Sequence, residues 1–150
     1  MNIHLLRKKE SDGLAQLLAS YWKTRNMPYS KEWALDYIKE GHGKELEDEV
    51  FFIAEDDGKV VGSIAILFWV GKRAEMRDFV VDPAFRGKGM GKQLFEHVLA
   101  ECEKRHVQKV FAFVLPETAG FFLKRGFEQE GLLKGHAKAG EDVVAIGRML

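Results

Sequence analysis

Residues 74 to 92 read Ala74-Glu75-Met76-Arg77-Asp78-Phe79-Val80-Val81-Asp82-Pro83-Ala84-Phe85-Arg86-Gly87-Lys88-Gly89-Met90-Gly91-Lys92. A short strand-like run, Met76 to Val81, breaks at Asp82-Pro83 and opens into Gly87, Gly89 and Gly91, spaced two apart. A long amphipathic helical pattern follows at once. Glycine takes backbone conformations closed to other residues and lets N–H groups approach a ligand closely. The helix start adds unpaired donors and a positive dipole end, and Arg86, Lys88 and Lys92 add full charges. Together these make a site for a phosphate or pyrophosphate. Two familiar phosphate loops do not match. The dinucleotide fingerprint needs G-x-G-x-x-G, and the nucleotide-triphosphate loop needs four residues between its glycines and then Gly-Lys-Ser/Thr.

What does match is Q/R-x-x-G-x-G/A, met by Arg86, Gly89 and Gly91 behind a strand ending Phe79-Val80-Val81-Asp82-Pro83. A helix, a strand at Lys109 to Val114 and a helix closing on Lys124-Arg125-Gly126-Phe127 come next. This half of the chain resembles the GNAT family of N-acetyltransferases, and the first half resembles it in the order of elements. The resemblance implies an α/β fold with a mixed, mostly antiparallel central sheet and a βαβ crossover at the cofactor site. It implies one N-acetyltransferase domain over residues 1–150 and acetyl-coenzyme A as acyl donor. The stretch Phe79, Val80 and Val81 would hold the pantetheine arm and thioester. Arg86 and the backbone of Gly87, Lys88, Gly89, Met90, Gly91 and Lys92 would receive the pyrophosphate. The strands on either side of the crossover helix would splay apart to admit the cofactor arm.

Composition narrows the partners. At 150 residues the chain is long enough for a single well-cored domain, and 31% charged residues keep it in solution. Lys+Arg and Asp+Glu are 23 each, so no global field draws it to nucleic acid or anionic membrane. The single cysteine, Cys102, excludes an internal disulfide, and no Cys/His spacing suits zinc, so no metal is expected. The first residues lack a signal peptide's apolar stretch, and no segment reaches membrane-spanning length. A cytoplasmic enzyme with a small-molecule amine acceptor is expected. Assembly as a homodimer stays open.

Ile3 to Arg7 alternates as a strand. Ser11-Asp12 offers an N-cap to a helix carrying Leu14, Leu17, Leu18, Tyr21 and Trp22, which Pro28 ends. Ser30 starts a second helix, terminated by Gly41-His42-Gly43, and Lys44 to Glu49 reads as a solvated loop. Val50–Ala54 and Val60–Val70 form a hairpin across Asp56-Asp57-Gly58-Lys59. Leu94, Phe95, Val98, Leu99 and Cys102 mark the buried face of the long helix, which reaches about Arg105. Val110 to Leu115 is nearly all apolar, as in a strand buried on both faces and parallel to the one before the glycines. Pro116 opens a short helix, and Phe127–Leu133 and Val143–Met149 close the sheet as a hairpin around a glycine-rich loop.

Amine acetylation needs an unprotonated nucleophile, a donor to the developing oxyanion and a proton for the leaving thiolate. By resemblance Glu75 is the candidate general base, and the backbone N–H of Val81 the oxyanion donor. Strand alternation puts Glu75, Arg77, Phe79 and Val81 on one face and Met76, Asp78 and Val80 on the other. An exposed Glu75–Arg77 ion pair is the bland alternative. Many family members carry a tyrosine acid four residues before the Gly-Phe, where this chain has Phe122, which cannot donate a proton. A tyrosine acid must then come from Tyr21, Tyr29 or Tyr37; otherwise water serves or the thiolate leaves unassisted. The missing tyrosine and shortened Leu115-Pro116-Glu117 connection resemble the amino-acid N-acetyltransferase branch.

Other residues read as follows. Cys102 is core packing, and the five histidines read as unpaired surface residues, with His42 and His136, in glycine-flanked loops, able to border the acceptor site. Arg25 could meet an acceptor carboxylate, and Trp22 and Trp33 are helical core. Acetylation of a protein amine and a non-catalytic acyl-coenzyme A sensor are the alternative functions.

Overall fold

A computed structural model describes residues 1–42 and 46–150. A seven-stranded sheet in the order β1-β2-β3-β4-β5-β7-β6 forms its middle layer. Its strands are β1 (Asn2–Leu5), β2 (Leu46–Asp56), β3 (Lys59–Trp69), β4 (Arg73–Val81), β5 (Lys109–Val114), β6 (Glu128–Lys138) and β7 (Glu141–Met149). Every neighbouring pair is antiparallel except β4–β5, so the sheet is mixed and mostly antiparallel. Helices α1 (Ser11–Thr24) and α2 (Lys31–Glu40) pack on one face. Helices α3 (Met90–Lys104) and α4 (Pro116–Leu123) pack on the other. Among the described residues no helix is long and apolar enough to cross a membrane, which says nothing of β-barrels.

Two cores follow from this layering. Met90, Leu94, Phe95, Val98 and Cys102 recur at helical spacing on α3 and are buried against Ile64, Ile66 and Met76 of the sheet. Leu14, Leu17, Leu18 and Trp22 of α1 do the same against Ile53, Ala65, Leu67 and Val80 on the opposite face. Each fully buried Leu, Ile, Val, Phe or Met side chain contributes about 1.5–3 kcal/mol. Strand β3 sits between the layers and is buried along almost its whole length. The turn joining β2 to β3 has Asp57 at φ 49° and Gly58 at φ 78°, the backbone of a two-residue hairpin.

Several boundaries depart from expectation. Ser11 does not cap α1: a 3-10 turn over Lys8–Glu10 leads into the helix, and Glu10 occupies the cap position without a side-chain bond to the helix. The helix stops at Thr24, before Pro28. Ser30 does cap α2, accepting from the Trp33 N–H. Of the loop expected over Lys44 to Glu49, Lys44 and Glu45 lie outside the described residues, as does Gly43. Leu46 to Glu49 belong instead to β2, because Leu46 pairs with Trp69 and Asp48 is held by Arg105 at 2.7 Å. β5 is not buried on both faces: Val110 and Ala112 are buried, Phe111 is half-buried and Phe113 is 50% exposed. β6 runs to Lys138, so the hairpin turn is at Gly140 (φ 78°) rather than across a long glycine-rich loop.

Candidate functional site

β4 and β5 pair only at Arg73↔Lys109, Ala74↔Val110 and Glu75↔Phe111, and then diverge. A cavity of about 770 Å³ opens between them, floored by Phe79, Val80 and Val81 and closed at one end by Arg86, Gly89 and Lys92. Gly87, Met90 and Gly91 also line it. Gly87 (φ 76°) and Gly89 (φ 79°) use the conformations glycine allows, while Gly91 is helical and lies where a side chain would press on the Phe79 ring. No backbone carbonyl among the described residues accepts from the N–H groups of Gly87, Lys88 or Gly89, and the first turn of α3 adds further donors. Arg86 donates from Nε to the Val81 carbonyl at 3.2 Å, which brings its guanidinium to the cavity mouth. Lys88 is set apart from the others: its ammonium lies over the Phe85 ring, outside the cavity lining.

A bulge in β4 changes the expected alternation. Asp78 has φ 51°, and the β3 register shifts between Ser63↔Val80 and Ala65↔Arg77, leaving an extra residue on β4. Glu75 and Arg77 therefore share the α1/α2 face with Val80, whereas Met76, Phe79 and Val81 face α3. Glu75, Arg77, Phe79 and Val81 do not line one face. Asp82 donates its N–H to Val61 of β3 at 2.8 Å. Backbone alternation then turns the Val81 N–H away from β3, into the gap beside β5.

On the α1/α2 face a second cavity of about 410 Å³ is lined by Trp33, Tyr37, Glu75, Arg77, Asp78 and His136, among others. Met76, Arg77, Asp78 and Phe113 line both cavities. The bulge is thus a wall common to both cavities. Glu75 is 3% exposed; it accepts from Trp69 Nε1 at 3.1 Å and from Arg77 Nε at 2.6 Å, so its ion pair is buried on one side rather than exposed. Asp78 accepts from the Tyr37 hydroxyl at 2.7 Å. Tyr37 also meets His42, and His42 binds Glu49 through both its ring Nδ1 and its backbone N–H. Burial raises the Asp78 carboxyl above the usual carboxylate range, outweighing the Tyr37 hydrogen bond and the nearby positive charges, which lower it. Burial, with Asp78 beside it, likewise pushes the Tyr37 phenol up.

Other expectations change with the contacts. His42 is buried and bonded rather than an unpaired surface residue, and His4 hydrogen-bonds Glu10. His4, Glu10 and Glu55 converge at the β1 edge, and none lines either cavity. Arg25 is held by Glu141, tying α1 to β7. Phe122 is 3% exposed and packs edge-on against Phe79, Phe95 and Phe127, so the position lacking a tyrosine hydroxyl serves the core. Tyr21 lines the larger cavity. Trp22 is core, but Trp33 is 43% exposed. Cys102 is fully buried, and burial pushes its thiol up to about 12.

Residues 14–127 match the model of the Acetyltransferase (GNAT) family. The chain belongs to that family. It is 38% identical over 79 residues to an uncharacterized N-acetyltransferase of Chlorobaculum tepidum, covering 53% of this chain and 50% of the relative. It is 31% identical over 146 residues to an uncharacterized N-acetyltransferase of Methanocaldococcus jannaschii, covering 88% of this chain and 64% of the relative. The chain thus spans from half to under two thirds of these GNAT relatives. An aminoglycoside 6′-N-acetyltransferase crystallised with coenzyme A superposes at a TM-score of 0.82 with 16% identity, over 99% of this chain and 97% of that one. That likeness is one of fold.

Asp78 and the Tyr37–His42–Glu49 chain escaped the sequence, because a bulge depends on the β3 register and leaves no local mark. Trp33 and Tyr37 did carry a signal: their spacing of four puts them on one side of α2, and Tyr29 precedes the helix at the same spacing.

Proposed function

We propose that this chain is an acetyl-coenzyme A-dependent N-acetyltransferase that moves the acetyl group directly to a primary amine in a ternary complex, in the cytoplasm. One observation carries the proposal: two separate cavities, one with a phosphate-binding end and one with carboxylates, share a wall at Asp78. Coenzyme A fits the larger. Arg86, Lys92 and the free amides of Gly87 to Gly89 would take its pyrophosphate, and Phe79 to Val81 would flank its arm. When bound, acetyl-coenzyme A supplies a thioester carbonyl open to a nucleophile.

The chain's own groups account for the rest. The Val81 N–H, turned into the gap, donates to the oxygen that gains charge. The amine nitrogen bonds to the acetyl carbon as the carbon–sulfur bond breaks and sheds, through solvent, a proton that restores the one Tyr21 gives the sulfur, while the proton lost earlier by the incoming ammonium goes to Asp78. From there the Tyr37–His42–Glu49 hydrogen bonds lead it away from the site. Tyr21, the tyrosine lining the cofactor cavity, returns a proton to the departing sulfur. Glu75, fixed by Trp69 and Arg77, draws the ammonium in by charge. The second assignment makes Glu75 the base, favoured by its burial on the acceptor side.

The two bases separate in the pH dependence of thiol release from acetyl-coenzyme A. With Asp78 as base, Asp78→Asn lowers kcat about a hundredfold or more, and wild-type kcat falls on the acid side through a pKa above the usual carboxylate range. Glu75→Gln would then raise KM for the amine more than it lowers kcat. The opposite pattern assigns the base to Glu75. No turnover with any amine, despite tight coenzyme A binding, would make the chain an acyl-coenzyme A sensor.

A further inference from the structure

The second cavity has an aromatic wall of which the transfer chemistry uses only the Tyr37 hydroxyl. Tyr29 and Trp33 stack at 4.3 Å and 28°, and Trp33 and Tyr37 at 5.3 Å and 20°. Trp22 stands edge-on to all three, at 5.4 to 5.8 Å between centroids. Trp22 is buried and explains itself as core, but Tyr29 is 37% exposed, Trp33 43%, and Phe113 on the opposite rim 50%. Solvent-facing aromatics gathered around one concavity mark a ligand surface rather than packing.

From this wall we infer that the acceptor is a primary amine carried on a planar aromatic group, an inference that rests on the acetyltransferase assignment above. The orientation of the rings decides between two ligand chemistries. A cage for a bare cation presents ring faces to the charge. Here Trp33 is stacked between Tyr29 and Tyr37, which cover its two faces, so it meets the cavity by its edge. Ring edges carry the positive end of the aromatic quadrupole, and their complement is the face of another ring. The amine end is provided for separately, by the Glu75 and Asp78 carboxylates beneath the stack. A cavity of about 410 Å³ suits a one- or two-ring amine. Arg77, with Nε on Glu75, and His136 complete the polar lining. Arg77 could also meet a carboxylate on the same acceptor, so arylalkylamines and aromatic α-amino acids share the inferred chemistry.

Thiol release from acetyl-coenzyme A is measured with 2-phenylethylamine, tryptamine, phenylalanine, 2-cyclohexylethylamine, glucosamine and a lysine peptide. At least one aryl amine is expected to exceed 2-cyclohexylethylamine about tenfold in kcat/KM, and phenylalanine against 2-phenylethylamine shows whether a carboxylate helps. Trp33→Ala, at a 43% exposed position, is expected to raise KM for aryl amines about tenfold, with an unchanged Kd for coenzyme A reporting an intact fold. Equal use of the cyclohexyl amine, or preference for glucosamine or the peptide, overturns the inference, as does an unchanged KM in Trp33→Ala. Calorimetry keeps this test apart from that of the transfer activity. Binding of 2-phenylethylamine to wild type, weakened in Trp33→Ala, supports the aryl site even without turnover, and no binding overturns it. Failure to bind coenzyme A overturns the transferase assignment alone.

Discussion

Asp78 is the residue on which the chemistry and the fold compete. Its left-handed backbone turns a carboxylate into the wall between the cavities, where burial favours the protonated form. A carboxyl whose pKa is raised by folding stabilises the native state only at low pH. That contribution is lost as pH rises from the ordinary value of 3.8 through the raised one. Above that range the ionised group costs stability. Asp78→Asn, which can still accept from Tyr37, is expected to melt at or above the wild-type temperature at pH 7, with the difference vanishing below about pH 3.8. The same variant loses activity. A lower melting temperature at pH 7 would show that the carboxylate's partners outweigh its burial. Tyr21→Phe tests the proton donor: kcat should fall about a hundredfold with little change in Kd for coenzyme A, and an unchanged kcat would mean the thiolate leaves unassisted.

At the scale of elements, the contact of α3 with β3 holds the glycine loop in place. Gly62 lets α3 sit close: a Cβ there would lie 2.9 Å from Met90 Sδ, 3.1 Å from Leu94 Cδ1 and 3.3 Å from Ala54 Cβ. Gly62→Ala should cost about 1–3 kcal/mol, lowering Tm by several degrees in a scanning calorimeter. Because Met90 begins α3, it should also weaken coenzyme A binding. The glycine loop was legible in the sequence because its signal is local: glycines, basic residues and a helix start within a few positions. The strand order around it was legible too, since the pattern Lys109 to Phe127 follows directly. The faces of β4 were not. Alternation from Glu75 to Val81 fails at one bulged residue, and that residue is set by pairing with Ser63 and Ala65 across the sheet. Nor was the exposure of Phe113 and Trp33, which is set by tertiary packing rather than by their own neighbours in sequence.

For the whole molecule, the sheet acts as a partition. The glycine loop and α3, proposed to hold the cofactor, lie on one face, the aromatic wall at α2 on the other, and the gap left where β4 and β5 separate joins them. A neutral overall charge, 23 basic against 23 acidic residues, leaves attraction of an anionic cofactor to the local group of Arg86, Lys92 and backbone amides. Binding should therefore weaken with added salt, and more in Arg86→Ala at low salt than at high. Calorimetric titration with coenzyme A, acetyl-coenzyme A and ATP tests the assignment of that cavity most directly. Both coenzyme A forms should bind one per chain and more tightly than ATP, because the pantetheine arm fills the gap between β4 and β5. ATP binding as tightly as coenzyme A, or no coenzyme A binding, would contradict it.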